Sequence, residues 1–481
     1  MEITSLAFIL LSTLSVFVYY LIPGRYRVLF LVLLSAGFVA TFSYRLLLYV
    51  LAYTLLNYWI GIRIPEAGRK KALFITGIVL NLSQLVLLKY VTFTIEPLFR
   101  LFSIETDLTS IARFIVPIGV SYFTLQGIGY LVNVNLGWEK PEKNFLHFLL
   151  YMIFYPRFIS GPIDRSNLFL PQLKEARAFD PDNITEGARL VLFGLFKKVV
   201  VANQLSLIVH GAFSTLDGTG AYNLWVVVLI QPLYLYFDFS GYTDIAIGFA
   251  RAFGIKIPMN FNRPFLSENM TNFWRRFHAS LSSWFSDYIF MRSMFRYRKS
   301  KLKKHATTIA LFVSWILFGI WHGAGWHFMF LGLLQALAVF YEYRTKPWRG
   351  RIFSRLPAFP RKWTGRLFTY LFYSTSLVFF FAPDIKSAFM LLSRAPFSGG
   401  PLPAEFTQQN LAIVVLSIAL ILALEIIQED FGKLAQRIKS VWHSRRISGT
   451  VLRWLVYYGG IALMISFSGN QAAAEFVYFQ F

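Results

Sequence analysis

Seven histidines and no cysteine are the first chemical facts of this 481-residue chain. Without a thiol there are no disulfides, no thiolate nucleophile and no Cys-ligated metal. His147, His210, His305 and His443 stand near expected loop ends or beside charges, where solvated or capping roles account for them. His278, His322 and His327 stand among aromatic residues. His322 lies in Trp321-His322-Gly323-Ala324-Gly325-Trp326-His327, a glycine-rich break between two long apolar runs. An imidazole, whose pKa lies near neutrality, suits general-base catalysis on a hydroxyl. The residues alone leave two roles open for His322: a base, or a hydrogen-bonded structural histidine.

Metal chemistry has no grammar here. His322 and His327 are five apart, off the i, i+4 spacing of a helical zinc pair, and no His-Glu-x-x-His occurs. Gly319, Gly323 and Gly325 precede no Lys-Ser or Lys-Thr, so no phosphate loop is expected either. No metal and no tightly bound cofactor is expected, and no cofactor-binding residue stands out.

The elements that must hold these residues are set by composition: 56% hydrophobic and only 15% charged. About 20 apolar residues cross about 30 Å of hydrocarbon, and such runs recur with no long polar segment between them. The expected fold is an all-α polytopic membrane protein: a single integral domain over residues 1–481 with about ten to twelve transmembrane helices. The formal charge of +23 comes from Lys and Arg in short loops, without a nucleic-acid motif. These loops fit the positive-inside rule, so the partner is a lipid bilayer and no nucleic acid is expected. The first apolar run reads as a retained span rather than a signal peptide. It puts residue 1 outside and the Arg25 to Arg27 loop in the cytoplasm.

Spans are expected at about 5–22, 27–42, 44–62, 72–92, 111–136, 222–253, 367–382, 409–427 and 451–467. Residues 145–160 are too short to cross and end in Pro156, Gly161 and Pro162, which favours a re-entrant segment. A helix is expected from near Thr185, after Asp180-Pro181-Asp182-Asn183. Asp238 and Asp244 lie in an apolar region, where they either anchor structure, with helix N-termini or Arg263 as donors, or take part in chemistry. Residues 271–290 read as one amphipathic helix, with Phe273, Phe277, Leu281, Phe285 and Ile289 at every fourth position and His278 pointing inward. A short surface helix is expected from Asp384 to Leu392.

Basic stretches at Arg292 to Lys304 and at Arg344 to Arg366 require the chain between them to enter the membrane and return. About 16 residues from Ala306 to Trp321 rise only about 24 Å, less than the hydrocarbon thickness. His322 is therefore expected at depth, inside the bilayer. The charged loop with Lys433, Arg437, Lys439, Arg445 and Arg446 should also be cytoplasmic. No internal repeat occurs, which weighs against a transporter built from repeated halves.

Asn272 to Trp284, followed some forty residues on by Trp321-His322-Gly323-Ala324, resembles the membrane-bound O-acyltransferase superfamily. The segments Pro117 to Gln126, Phe154 to Arg165, Tyr236 to Gly248, Met259 to Phe265, Phe379 to Ala388 and Phe476 to Phe481 extend the resemblance over nearly the whole chain. They resemble its bacterial branch, which holds the alginate O-acetyltransferase membrane subunit and the teichoic acid D-alanyl transferase.

The resemblance implies a central tunnel in which a cytoplasmic thioester donor, here acetyl-CoA, meets a catalytic histidine. The acyl group then leaves on the outer side for an extracytoplasmic polysaccharide or peptidoglycan. It implies His322 as the principal catalytic histidine, either general base or transient acyl carrier, and His278 as the second. It also implies an outer-face partner with a serine hydrolase-like domain and a place in the bacterial cytoplasmic (inner) membrane. D-alanyl transfer to teichoic acid is the alternative within the family, and polysaccharide or lipid transport the alternative outside it.

Overall fold

The computed structural model describes residues 2–66, 68, 70–90, 119–214, 223–353, 355–397, 399–400, 408–444 and 446–468. The start of the 111–136 span with Pro117 and Ile118, the end of the 72–92 span, Arg445 and the Phe476 to Phe481 segment lie outside the described residues. The described residues contain helices and no strand. Among the described residues, seven helices are long and apolar enough to cross a bilayer: Tyr44–Glu66, Lys70–Lys89, Pro181–Phe213, Leu224–Ala252, Lys303–His322, Asn410–Asp430 and Ile447–Ser468.

The chain divides into two compact units. The first takes Met1–Val191, Tyr242–Asn260 and Ser280–Gly325; the second takes Leu192–Gly241, Phe261–Ala279 and Trp326–Phe481.

In the first unit α1 (Leu6–Leu21), α2 (Arg27–Ala40), α3 (Tyr44–Glu66), α4 (Lys70–Lys89), α5 (Val120–Leu136) and α6 (Phe145–Ile153) follow in order. Ser5 starts α1 by accepting from the Phe8 N–H at 3.2 Å, and Asn144 starts α6 in the same way from Leu146 at 2.9 Å. α3, α4 and α5 pack on one another. Polar side chains line their seam: Tyr53 donates to Asn81, Asn81 donates to Asn57 at 2.9 Å, and Gln84 donates to Thr124 at 2.6 Å. Such bonds join helices where lipid offers no alternative partner.

The 145–160 run begins as the short helix α6, and residues 154–164 after it are buried throughout and contain no helix. Irregular backbone at this depth needs protein donors and acceptors. Tyr155 N–H donates to Ser35 at 3.1 Å, Ser160 N–H to the Tyr242 hydroxyl at 3.3 Å, and Ile163 N–H to Ser280 at 2.9 Å. Gly119, just before α5, has φ +79°, and a Cβ there would lie 3.0 Å from the Phe158 carbonyl, so only glycine fits against this segment.

After a short turn, α7 (Ser166–Phe169), comes α8 (Pro181–Phe196), which starts four residues before Thr185 because Asp180 accepts from the Asp182 N–H at 3.0 Å. A π-helical stretch, Lys197–Ala202, leads into α9 (Asn203–Ser214), and α10 (Leu224–Ala252) follows. Within the first unit a Cβ on Gly187 of α8 would meet the Gly248 carbonyl of α10 at 2.6 Å, and within the second a Cβ on Gly241 would meet the Gly194 carbonyl at 2.8 Å. Glycines thus let these two backbones touch.

The single amphipathic helix expected over 271–290 is broken. α11 (Met270–Arg276) and α12 (Ala279–Phe285) are separated at His278, whose φ is +46°. The apolar period continues through the break, so periodicity could not reveal it. α13 (Met291–Arg298) packs on α14 (Ala306–His322) in the first unit. Arg292 lies over the Trp138 ring at 4.6 Å, which places the basic stretch on the same side as the loop after α5.

In the second unit α15 (Trp326–Phe353) and α16 (Ala358–Phe381) pack together, and α17 (Ile385–Arg394) is the surface helix, with Asp384 accepting from the Ser387 N–H at 2.7 Å. α18 (Gln408–Asp430), α19 (Gly432–His443) and α20 (Ile447–Ser468) complete it, α18 and α20 resting on the π-helical stretch.

Glu139, in the loop after α5, shows how that surface titrates. Burial raises its carboxyl pKa to about 7, against an opposing hydrogen bond donated by Ser166 at 2.5 Å. A carboxyl held above its unfolded value binds a proton that the unfolded chain has released, so stability falls as pH rises from about 4.5 to about 7. We expect Glu139→Gln to make the change in apparent Tm in detergent across that window less negative than in wild type, by removing this group's share. An unchanged slope in the variant refutes the assignment.

Candidate active site

His322 is the last residue of α14 and only 7% exposed. Phe318, one turn earlier, meets its ring at 4.7 Å, and Trp321 meets it at 4.9 Å. Tyr122 of α5 packs edge-on against Trp321 at 5.6 Å. The helix stops because Gly323 is extended, with φ −168° and ψ 164°. A helix that stops leaves its last carbonyls without intrahelical donors.

The end of α4 supplies donors. The Tyr90 hydroxyl donates to the Ile320 carbonyl. Lys89 Nζ donates to the carbonyls of Trp321 at 2.8 Å and His322 at 3.0 Å, and to the Ser121 hydroxyl at 3.4 Å. Neither Lys89 nor Tyr90 stood out in the sequence, since both lie beyond 200 residues from the histidine they support.

His278 belongs to the second unit and His322 to the first. His278 is 1% exposed, as the inward reading expected, and stands edge-on to Phe239 at 4.6 Å. Its left-handed backbone is uncommon for a residue with a Cβ, and it persists where the surroundings over-determine it. Those surroundings grip α11 firmly: Glu342 accepts from the backbone N–H groups of Met270 at 2.6 Å and Thr271 at 2.9 Å, and Trp274 donates to Gln335 at 3.2 Å.

His327, the second residue of α15, is 9% exposed and packs on Phe328 at 4.3 Å. His210 departs from the solvated or capping role expected of it: its ring is packed against Tyr234 and Phe381, with Nε2 3.0 Å from the Tyr234 hydroxyl. His443 caps α19 through Nδ1 and the Lys439 carbonyl at 2.8 Å. No group of three or more His, Asp or Glu among the described residues could hold a metal ion.

Asp238 is fully buried and pairs with Lys198 of the π-helical stretch. Arg263, the side-chain donor expected for the acidic pair, instead faces Glu429 at 3.4 Å. Glu429 also accepts from Arg276 at 2.9 Å, while Arg366 grips Asp430 with two bonds of 2.5 and 2.8 Å. These partners were not legible because α18 lies about 150 residues beyond α11 in the chain.

Taken by unit, the chain is a polytopic helical membrane protein whose first unit holds a buried imidazole at a side-chain-capped helix end. Residues 139–382 match the model of the membrane-bound O-acyltransferase family, and the chain belongs to that family.

It is similar to a protein of Pseudomonas aeruginosa named as a probable alginate O-acetylase, with 34% identity over 67% of this chain and 63% of that protein. The match thus spans less than two thirds of that relative's length. It is also similar to the peptidoglycan O-acetyltransferase of Helicobacter pylori, 29% identical over 76% of this chain and 72% of that protein. The teichoic acid D-alanyltransferase of Bacillus subtilis is 32% identical over 46% of this chain and 57% of that protein.

Proposed function

We propose that the chain is a membrane O-acyltransferase that moves an acetyl group from a cytoplasmic thioester, acetyl-CoA, toward hydroxyls of an extracytoplasmic polysaccharide or peptidoglycan. The observation that carries this reading is His322, a buried imidazole at the capped end of α14, within a chain similar to O-acetylating relatives over two thirds of its length or more. D-alanyl transfer is the less favoured reading, because that relative matches only 46% of the chain.

In the proposed step an imidazole nitrogen of His322 accepts the proton of an acceptor hydroxyl, whose oxygen attacks the thioester carbonyl carbon. The C–S bond then breaks, the thiolate takes the proton back from the imidazolium, and the products are an ester and a free thiol. The acceptor is the polymer itself or a hydroxyl of an outer-face, serine hydrolase-like partner that completes the transfer. His278 is the second catalytic histidine in this scheme. The protein resides in the bacterial cytoplasmic membrane.

The test is acetyl transfer by the purified protein in nanodiscs. Radiolabelled acetyl-CoA should release free thiol faster when a hydroxyl acceptor is present, and label should appear as ester. Release of thiol from D-alanyl carrier thioester alone would assign the other donor, and turnover of neither would reject acyl transfer.

A further inference from the structure

We propose that Lys89 is a positioning residue for His322, acting through the backbone of the last turn of α14. This rests on the catalytic reading of His322 given above. Three consecutive carbonyls at the end of α14, those of Ile320, Trp321 and His322, all receive side-chain donors from two adjacent residues, Lys89 and Tyr90. Helix ends leave such carbonyls without intrahelical donors and carry partial negative charge, so side-chain N–H donors there satisfy groups that burial would otherwise leave unpaired.

The donor count decides how Lys89 acts. An ammonium carries three N–H donors. In this structure they point to the Trp321 carbonyl, the His322 carbonyl and the Ser121 hydroxyl. All three being engaged, Lys89 is not set to bind the thioester oxygen. Its effect on the reaction runs through where it holds residues 321 and 322.

The surroundings depend on the same anchor. Lys89 Nζ lies 5.7 Å from the Trp321 ring centroid, Trp321 packs on Tyr122, and the His322 ring rests between Phe318 and Trp321. Because Gly323 leaves the helix extended, no continuing turn exists to hold the histidine in register. Loss of the Lys89 donors therefore frees the carbonyls of Trp321 and His322, and a misplaced base of this kind costs about 100-fold in rate.

The experiment compares Lys89→Met, Lys89→Arg and His322→Ala in the full-length protein. It measures O-acylation of surface polymer in cells and, in purified protein, the rate at which diethylpyrocarbonate modifies His322, read by peptide mass spectrometry. Lys89→Met should lower O-acylation by about 100-fold and change the modification rate at His322 severalfold, with exposed His305 and His443 unaltered. Lys89→Arg, which keeps the cation and its donors, should restore most of both. Should the methionine variant not accumulate, Lys89→Gln replaces it with a neutral donor.

An unchanged modification rate together with wild-type acylation in Lys89→Met overturns the inference, as does failure of the arginine variant to restore either readout. Wild-type acylation in His322→Ala would instead reject the catalytic reading, and the modification arm would still report whether Lys89 holds the helix end.

Discussion

His322→Ala is expected to lower O-acylation in intact cells by about 100-fold or more, in line with the removal of a general base. Abundance and apparent Tm are read alongside, because deleting a buried ring that rests between Phe318 and Trp321 leaves a cavity with a stability cost of its own. Acylation at the wild-type level would remove His322 from the mechanism. His327→Ala is the matched control, a buried histidine packed on Phe328 and five residues further on.

His278 needs a different comparison, since its left-handed backbone confounds a simple deletion. Asparagine tolerates that conformation better than alanine. If the imidazole is required, His278→Asn and His278→Ala both lose acylation. Activity preserved in the asparagine variant alone would assign His278 a backbone role.

The largest stability effect is expected at the Lys198–Asp238 pair. Removing one partner of a buried ion pair leaves an uncompensated charge and costs about 3–5 kcal/mol. Lys198→Met and Asp238→Leu should each lower the apparent Tm sharply and reduce the amount of protein in the membrane. The double variant should recover most of the loss, since apolar side chains of similar volume replace buried pairs with little penalty. Two single losses that simply add in the double variant would show that the residues do not act as a pair.

Much of this molecule was legible because bilayer chemistry leaves few options. Apolar runs gave the helices, and Pro156, Gly161 and Pro162 marked the irregular buried segment. The glycine-rich break at Gly323-Ala324-Gly325 marked where the apolar run from Ala306 would turn and which histidine it would present, and α14 ends there at His322. What stayed hidden depends on contacts distant in sequence. Lys89 looks like an ordinary basic helix end until α14 is brought against it. The Asp238 partner comes from a π-helical stretch whose residues carry no distinguishing pattern. The break at His278 was masked by an aromatic period that persists through it, the left-handed turn being imposed by packing.

The helix-free segment 154–164 has a consequence for how the protein is made. Its backbone cannot rest in lipid alone, because its N–H groups need partners that hydrocarbon does not offer. One of those partners, Ser280, is synthesised 117 residues after Ile163, and it is itself bonded to Asn260 at 2.5 Å. During biogenesis the segment must wait, in water or in the insertion machinery, until the chain around Tyr242, Asn260 and Ser280 has entered the membrane. Completion of the first unit therefore waits for these later residues, and a chain truncated before Ser280 would leave the Ile163 N–H without the acceptor it has in the finished fold.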